Sequence, residues 1–204
     1  MAQNPFDSYL RFFHAIPGGP VVDIYANNSL IARDVNYGGI SAYLALQHGK
    51  YQITVFAAGT TVAPVADVFL MIPAHTALTT ALVGSVGAVQ LKPLIDAPEQ
   101  RNRRRSMVRF VHLSPTALVT DFALNDGRVL FRKVAPHEAT RYASLHPGRC
   151  GFKIRIAGSR QIVFRVPDIR LGVGQFYTVY LIGYSGGDQP VQTIVVNDLI
   201  RLEG

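Results

Sequence analysis

At 204 residues, with 49% hydrophobic and 16% charged side chains, the chain is long and apolar enough to bury a core, which excludes an intrinsically disordered protein. No apolar run approaches the roughly 18 residues of a spanning helix, and the single cysteine, Cys150, excludes an intrachain disulfide framework while leaving the redox compartment open. The net charge of +7 is divided unevenly, since residues 1–100 carry four Lys/Arg against six Asp/Glu (−2) and residues 101–204 carry sixteen against seven (+9).

In chain order, Met1 to Ser8 lacks a basic stretch leading into an apolar run, so a Sec-type leader is not expected here. Synthesis in the cytoplasm without Sec export and a leader already trimmed both stay open. Strands are predicted at Tyr9 to His14, Val21 to Tyr25 and Leu30 to Asp34, separated by the turn chemistry of Pro17-Gly18-Gly19-Pro20 and Asn27-Asn28. Tyr51, Ile53 and Val55 alternate with Gln52 and Thr54, the period of two expected of a strand with one buried face. Asp67 to Ile72, Leu78 to Val83 and Gln90 to Ile95 complete a first set. Residues 97–106 have no apolar periodicity and read as a basic linker; its four arginines suit an acidic partner, nucleic acid or a protease, but a solvated linker is the plainer expectation.

A second set then repeats the first. Strands are predicted at Val108 to His112, Thr120 to Leu124, Phe152 to Ile156, Ile162 to Val166, Phe176 to Ile182 and Val191 to Val196. Asn125-Asp126-Gly127 is a hairpin tip, and His146-Pro147-Gly148 and Ser185-Gly186-Gly187-Asp188 are turns. Arg11-Phe12-Phe13-His14 with Asp23 returns as Arg109-Phe110-Val111-His112 with Asp121, at an offset of about 98 residues. One residue further on, Tyr43, Leu46, Gly49, Ala58, Gly59 and Gly84 fall on Tyr142, Leu145, Gly148, Ala157, Gly158 and Gly183. A period near 100 residues suits one compact domain per copy. No segment carries a helical stripe. The expected fold is therefore all-β: two tandem antiparallel β-sandwiches, Ig-like, over residues 1–96 and 107–204.

Arg-aromatic-aromatic-His-Ala-Ile-Pro, followed by Val22-Asp23-Ile24-Tyr25, Tyr43-Leu44-Ala45-Leu46 and Gly49-Lys50-Tyr51, resembles a bacterial domain of unknown function, DUF4397. The second copy departs from that pattern at Thr120-Asp121-Phe122-Ala123 and at Cys150, where Tyr is usual. The resemblance implies a β-sandwich, often in tandem, found mostly in surface or secreted bacterial proteins, with no activity assigned to the domain. The expectation of no Sec-type leader departs from that secreted pattern.

His14 with Asp23 and His112 with Asp121 are the chemically suggestive pairs, because a carboxylate can orient an imidazole for base catalysis or metal binding. Strand alternation sets both rings beside core residues, His14 with Leu10 and Phe12, and His112 with Val108 and Phe110. The expectation is a structural histidine bonded to a backbone carbonyl or to the repeated Asp. His14, Asp23, Tyr43, His112, Asp121 and Tyr142 are accordingly read as a structural repeat motif, with no catalytic residue, metal ligand or cofactor expected. His48, His75, His137 and His146 sit by turns and form no ligand spacing. Cys150 aligns with Tyr51 on an inward face and reads as a buried thiol. Eight of the nine tyrosines, Tyr25, Tyr37, Tyr43, Tyr51, Tyr142, Tyr177, Tyr180 and Tyr184, suit a sugar surface or ordinary strands, and the absence of Trp favours strands.

What remains is the exterior. Arginine dominates the second half, and Arg128, Arg132, Arg141, Arg149, Arg155 and Arg160 are the candidate contacts for an anionic partner. The leading expectation is a non-enzymatic structural or interaction protein at a bacterial cell or spore surface. It would associate head to tail through its oppositely charged halves, with the extended Ala2 to Ser8 and Val191 to Leu202 as joints. The alternative is a module binding an anionic cell-wall polymer or glycan. Nucleic acid is not the expected partner, because the arginines are spread over strands and turns with no recognition helix.

Overall fold

The computed structural model describes residues 7–96, 104–185 and 189–198. The expected N-terminal joint before Asp7, the linker over 97–103, the centre of the Ser185–Asp188 turn and the C-terminal joint beyond Asp198 lie outside the described residues. The chain divides into two compact units, Met1–Asp96 and Ala97–Gly204. Among the described residues no helix is long and apolar enough to cross a membrane.

The first domain contains β1 (Ser8–His14), β2 (Val22–Ala26), β3 (Ser29–Val35), β4 (Leu44–Leu46), β5 (Gly49–Ala57), β6 (Ala66–Ile72), β7 (Ala77–Ser85) and β8 (Ala88–Asp96). The second repeats them as β9 (Ser106–His112), β10 (Thr120–Leu124), β11 (Val129–Val134), β12 (Ala143–Leu145), β13 (Gly148–Ile156), β14 (Ile162–Leu171), β15 (Phe176–Ile182) and β16 (Gln192–Asn197). Each domain has two four-stranded sheets. Their orders are β4-β1-β7-β8 and β3-β2-β5-β6 in the first, and β12-β9-β15-β16 and β11-β10-β13-β14 in the second. The all-β sandwich expectation holds, with two refinements. Ser106, read from sequence as linker, is the buried first residue of β9. One pair per domain, β1–β7 and β9–β15, is parallel. Partners separated by a whole sheet of intervening chain need no tight hairpin, so nothing forces them to run antiparallel.

Alternation builds the core. Leu10 and Phe12 from β1 meet Ile24, Ile53, Val55, Leu70 and Leu82. In the second domain Phe110, Phe122 and Phe152 stack at centroid distances of 4.7 and 5.0 Å. Beside β4, the segment after β3 returns to bridge Ile40 to Phe13 and lengthens the pairing along that edge of β1. Strands β1 and β9 are buried on both faces almost throughout. A polar residue on either strand must find a partner inside the protein.

Two turns explain local sequence. Asn27 and Asn28 take φ of 47° and 66°, the left-handed pair of a two-residue type I′ hairpin joining β2 to β3. Gly84 and Gly183 sit where a Cβ would run into the carbonyl oxygen of Ala88 or Pro190, which accounts for glycine in both copies.

Candidate functional site: a duplicated polar framework and one basic sheet face

The buried arginine of each copy is held by a fourfold arrangement of which sequence gave only half. Arg11 Nε donates to Thr79 Oγ1 at 2.7 Å, the Thr79 hydroxyl donates to Asp96, and Tyr43 donates its hydroxyl to the same carboxylate oxygen at 2.7 Å. The guanidinium lies 4.2 Å over the Tyr43 ring and 3.7 Å from Asp96. The second domain repeats this. Arg109 Nε donates to Thr178 Oγ1 at 2.7 Å, Thr178 and Tyr142 donate to Asp198, and Arg109 stands 4.7 Å over Tyr142. Asp96 and Asp198 close each domain from its last strand or just beyond, where no local motif marks them. The available signal is an arginine among the apolar residues of a strand buried on both faces, which requires a buried acid somewhere.

The suggestive histidines are buried, and they are not paired with the repeated aspartates. His14 is fully buried; its Nε2 meets the Pro20 carbonyl at 2.9 Å and its Nδ1 accepts from the Ile16 amide at 3.2 Å. Both ring nitrogens are thus committed to backbone, with Nε2 as the donor. His112, equally buried, reaches the Leu118 carbonyl at 3.2 Å, and its Nδ1 has no partner among the described residues. Desolvation holds both imidazoles below their ordinary pKa of 6.5, so they are neutral scaffold groups.

Asp23 accepts instead from the amides of Asp34 (2.9 Å) and Gly59 (3.0 Å), and Asp121 accepts from Lys133 (2.9 Å) and Gly158 (3.4 Å). The amides of Gly59 and Asp34 keep the Asp23 carboxyl below its usual range, against a smaller opposing desolvation. Asp34 and Lys133 both have φ of 53°, so the carboxylate fixes a left-handed kink in the edge strand and ties it to the turn after β5 or β13. Around this kink, Asp23, Tyr25, Arg33, Asp34 and Gly59 to Thr61 line an open depression of about 390 Å³.

Where the framework repeats, the outer face of the neighbouring sheet does not. In the first domain Thr54 is opposite Asp67, and Lys50 opposite Met71. At the same register points the second domain sets Lys153 opposite Arg165, and Arg149 opposite Arg170. Phe56, across from Asp23, becomes Arg155, across from Asp121. Along the kinked edge and its turn, Arg33, Asp34 and Thr61 become Arg132, Lys133 and Arg160. Over these eight matched positions the first domain has two cations and two acids, and the second has eight cations. Like charges directly opposite in a ladder are destabilising, by about 0.2–1 kcal/mol per pair. Lys153 is partly relieved by donating to the Asn125 carbonyl at 2.8 Å. Arg155 Nε is buried and has no hydrogen-bond partner among the described residues. Two exposed acids, Asp126 and Asp168, belong to the same sheet and its hairpin.

Of the six arginines expected to meet an anion, Arg132, Arg149, Arg155 and Arg160 fall in this set. Arg128 stands at the β10–β11 hairpin, its amide donating to Asp126. Arg141 lies apart, beside Thr140, whose hydroxyl accepts from the Phe110 amide in the other sheet. Lys133, Lys153, Arg165 and Arg170 join the face only once the register is known.

The remaining candidates disperse. His48 pairs with Asp7 at 2.8 Å, His146 meets the linker residue Arg105 at 2.7 Å, and His75 and His137 occupy left-handed turn positions. Cys150 is half-buried against the core rather than fully buried, and desolvation raises its thiol pKa, which disfavours the reactive thiolate. Tyr43 and Tyr142 serve the framework, Tyr180 is buried, Tyr25 packs edge-on to Phe56, and Tyr51 and Tyr177 bond to nearby backbone, so these tyrosines are spread over both domains and form no single platform.

A family model described as a domain of unknown function (DUF4397) matches residues 8–123 and again residues 106–202. No curated protein matches the chain.

Proposed function

The chain belongs to the DUF4397 family over both of its halves, and from that premise we propose a non-enzymatic interaction protein of a bacterial cell or spore surface that binds through the exterior of its second domain. The observation that carries this reading is the contrast between the copies. The buried titratable residues they share are consumed by scaffolding, while eight matched exterior positions change from balanced to wholly basic. Divergence on one face of a repeated scaffold is what separate recognition tasks would produce.

Head-to-tail self-association is a second reading, supported by two matched positions of opposite sign, Asp34 against Lys133 and Asp67 against Arg165. It has less to draw on than the formal −2 of the first half suggests, because Asp23 and Asp96 are buried.

The deciding experiment measures two things on the purified full chain at low salt: mass as a function of protein concentration, and retention on isolated bacterial walls and spore coats. Retention that weakens with salt supports surface binding, and a salt-sensitive rise in mass supports self-association. A strict monomer retained on neither material removes both.

A further inference from the structure

Resting on that reading, we propose that the outer face of the β11-β10-β13-β14 sheet is a docking surface for a linear polyanion, a wall-type polymer carrying repeated phosphate or carboxylate groups. Two cross-strand pairs, Lys153–Arg165 and Arg149–Arg170, place cations directly opposite one another with three residues of β13 between them. Arg155 continues the row on β13, and Arg132, Lys133 and Arg160 occupy the kinked edge and the turn anchored by Asp121. A folded sheet has no internal reason to gather cations this way, since the same scaffold closes in the first domain with Thr54–Asp67 and Lys50–Met71 at these points. An extended chain of oxyanions laid along the strands would neutralise several of them at once, and arginine forks suit both phosphate and carboxylate.

A single small anion would answer only one pair. Nucleic acid is disfavoured because this row of cations contains no aromatic ring for base stacking; Phe56 of the first domain is Arg155 here. The acids nearest the face are few: Asp121 is saturated by two backbone amides, and Asp168 accepts from Asn125 at 3.3 Å.

The test uses the full chain with four probes: inorganic polyphosphate, polygalacturonate, neutral dextran and single-stranded DNA. We expect binding to one or both of the first two, none to dextran, and a steep loss with salt. The double substitution K153T/R165D restores residues that the first domain accommodates at the same register. It should weaken polyanion binding at least tenfold and flatten the salt slope, whereas R141S, off this face, should leave both unchanged. If the double variant does not fold, polyphosphate titrated into the labelled wild-type chain should shift the amides of Lys153, Arg155 and Arg165 and spare Arg141. Undiminished binding by the folded double variant, shifts centred elsewhere, or tighter binding of DNA than of either polymer overturns the assignment. Retention on walls without affinity for either polyanion would sink this inference and leave the surface-binding reading standing.

Discussion

The imidazole of His14 shows how a residue type associated with catalysis is spent on structure. Its two nitrogens satisfy Pro20 and Ile16 in a place water does not reach, and desolvation keeps the ring neutral. The folded pKa therefore lies below the ordinary 6.5, as it does for His112. Between those two values the unfolded chain binds more protons than the folded one, so stability is intact above pH 6.5 and falls as pH drops below it. Urea midpoints should decline from pH 7 to pH 5, and removing His14 by H14F should flatten the slope by up to one proton while lowering stability throughout. A slope unchanged in H14F would place the titration elsewhere. The repeated aspartates give an independent test. D23A leaves the amides of Asp34 and Gly59 without their acceptor, an expected loss of about 1–3 kcal/mol in chemical denaturation. D121A should cost less, because its contact to Gly158 is already long at 3.4 Å.

At the scale of elements, what sequence made legible follows the physics of each signal. Period-two alternation marks the long half-buried strands, and Asn27-Asn28 and Asn125 to Gly127 mark the hairpins. The three-residue strands β4 and β12 are too short for any periodicity to register. In β14 the run continues past Val166 through Pro167, which would ordinarily end a strand, but an edge position tolerates a missing donor. The same limit hid the basic face: Arg165 and Arg170 are visible as arginines, but only pairing shows that they stand opposite Lys153 and Arg149. That pairing carries its own prediction. R165D converts a repulsive cross-strand pair into an attractive one and should stabilise the second domain by about 0.5 kcal/mol, read as a higher midpoint. A lower midpoint would show that the cations are already neutralised within the fold.

For the whole molecule, the two domains have separate cores and equivalent buried networks, and they differ in exterior charge. The contrast between the formal −2 and +9 of the two halves carries over to the exteriors, because each domain buries one arginine and two aspartates, Arg11 with Asp23 and Asp96 in the first and Arg109 with Asp121 and Asp198 in the second. A ligand that binds only the native second domain stabilises that domain alone, by an amount set by its concentration relative to its Kd. Calorimetry should therefore resolve a transition that polyphosphate raises and another that it leaves in place. D198N, which weakens the Arg109–Thr178–Tyr142 network, should lower the ligand-sensitive transition, and D96N the insensitive one. Equal shifts in both transitions with polyphosphate would mean that the polyanion acts on the chain's overall charge and that the matched face has no special role.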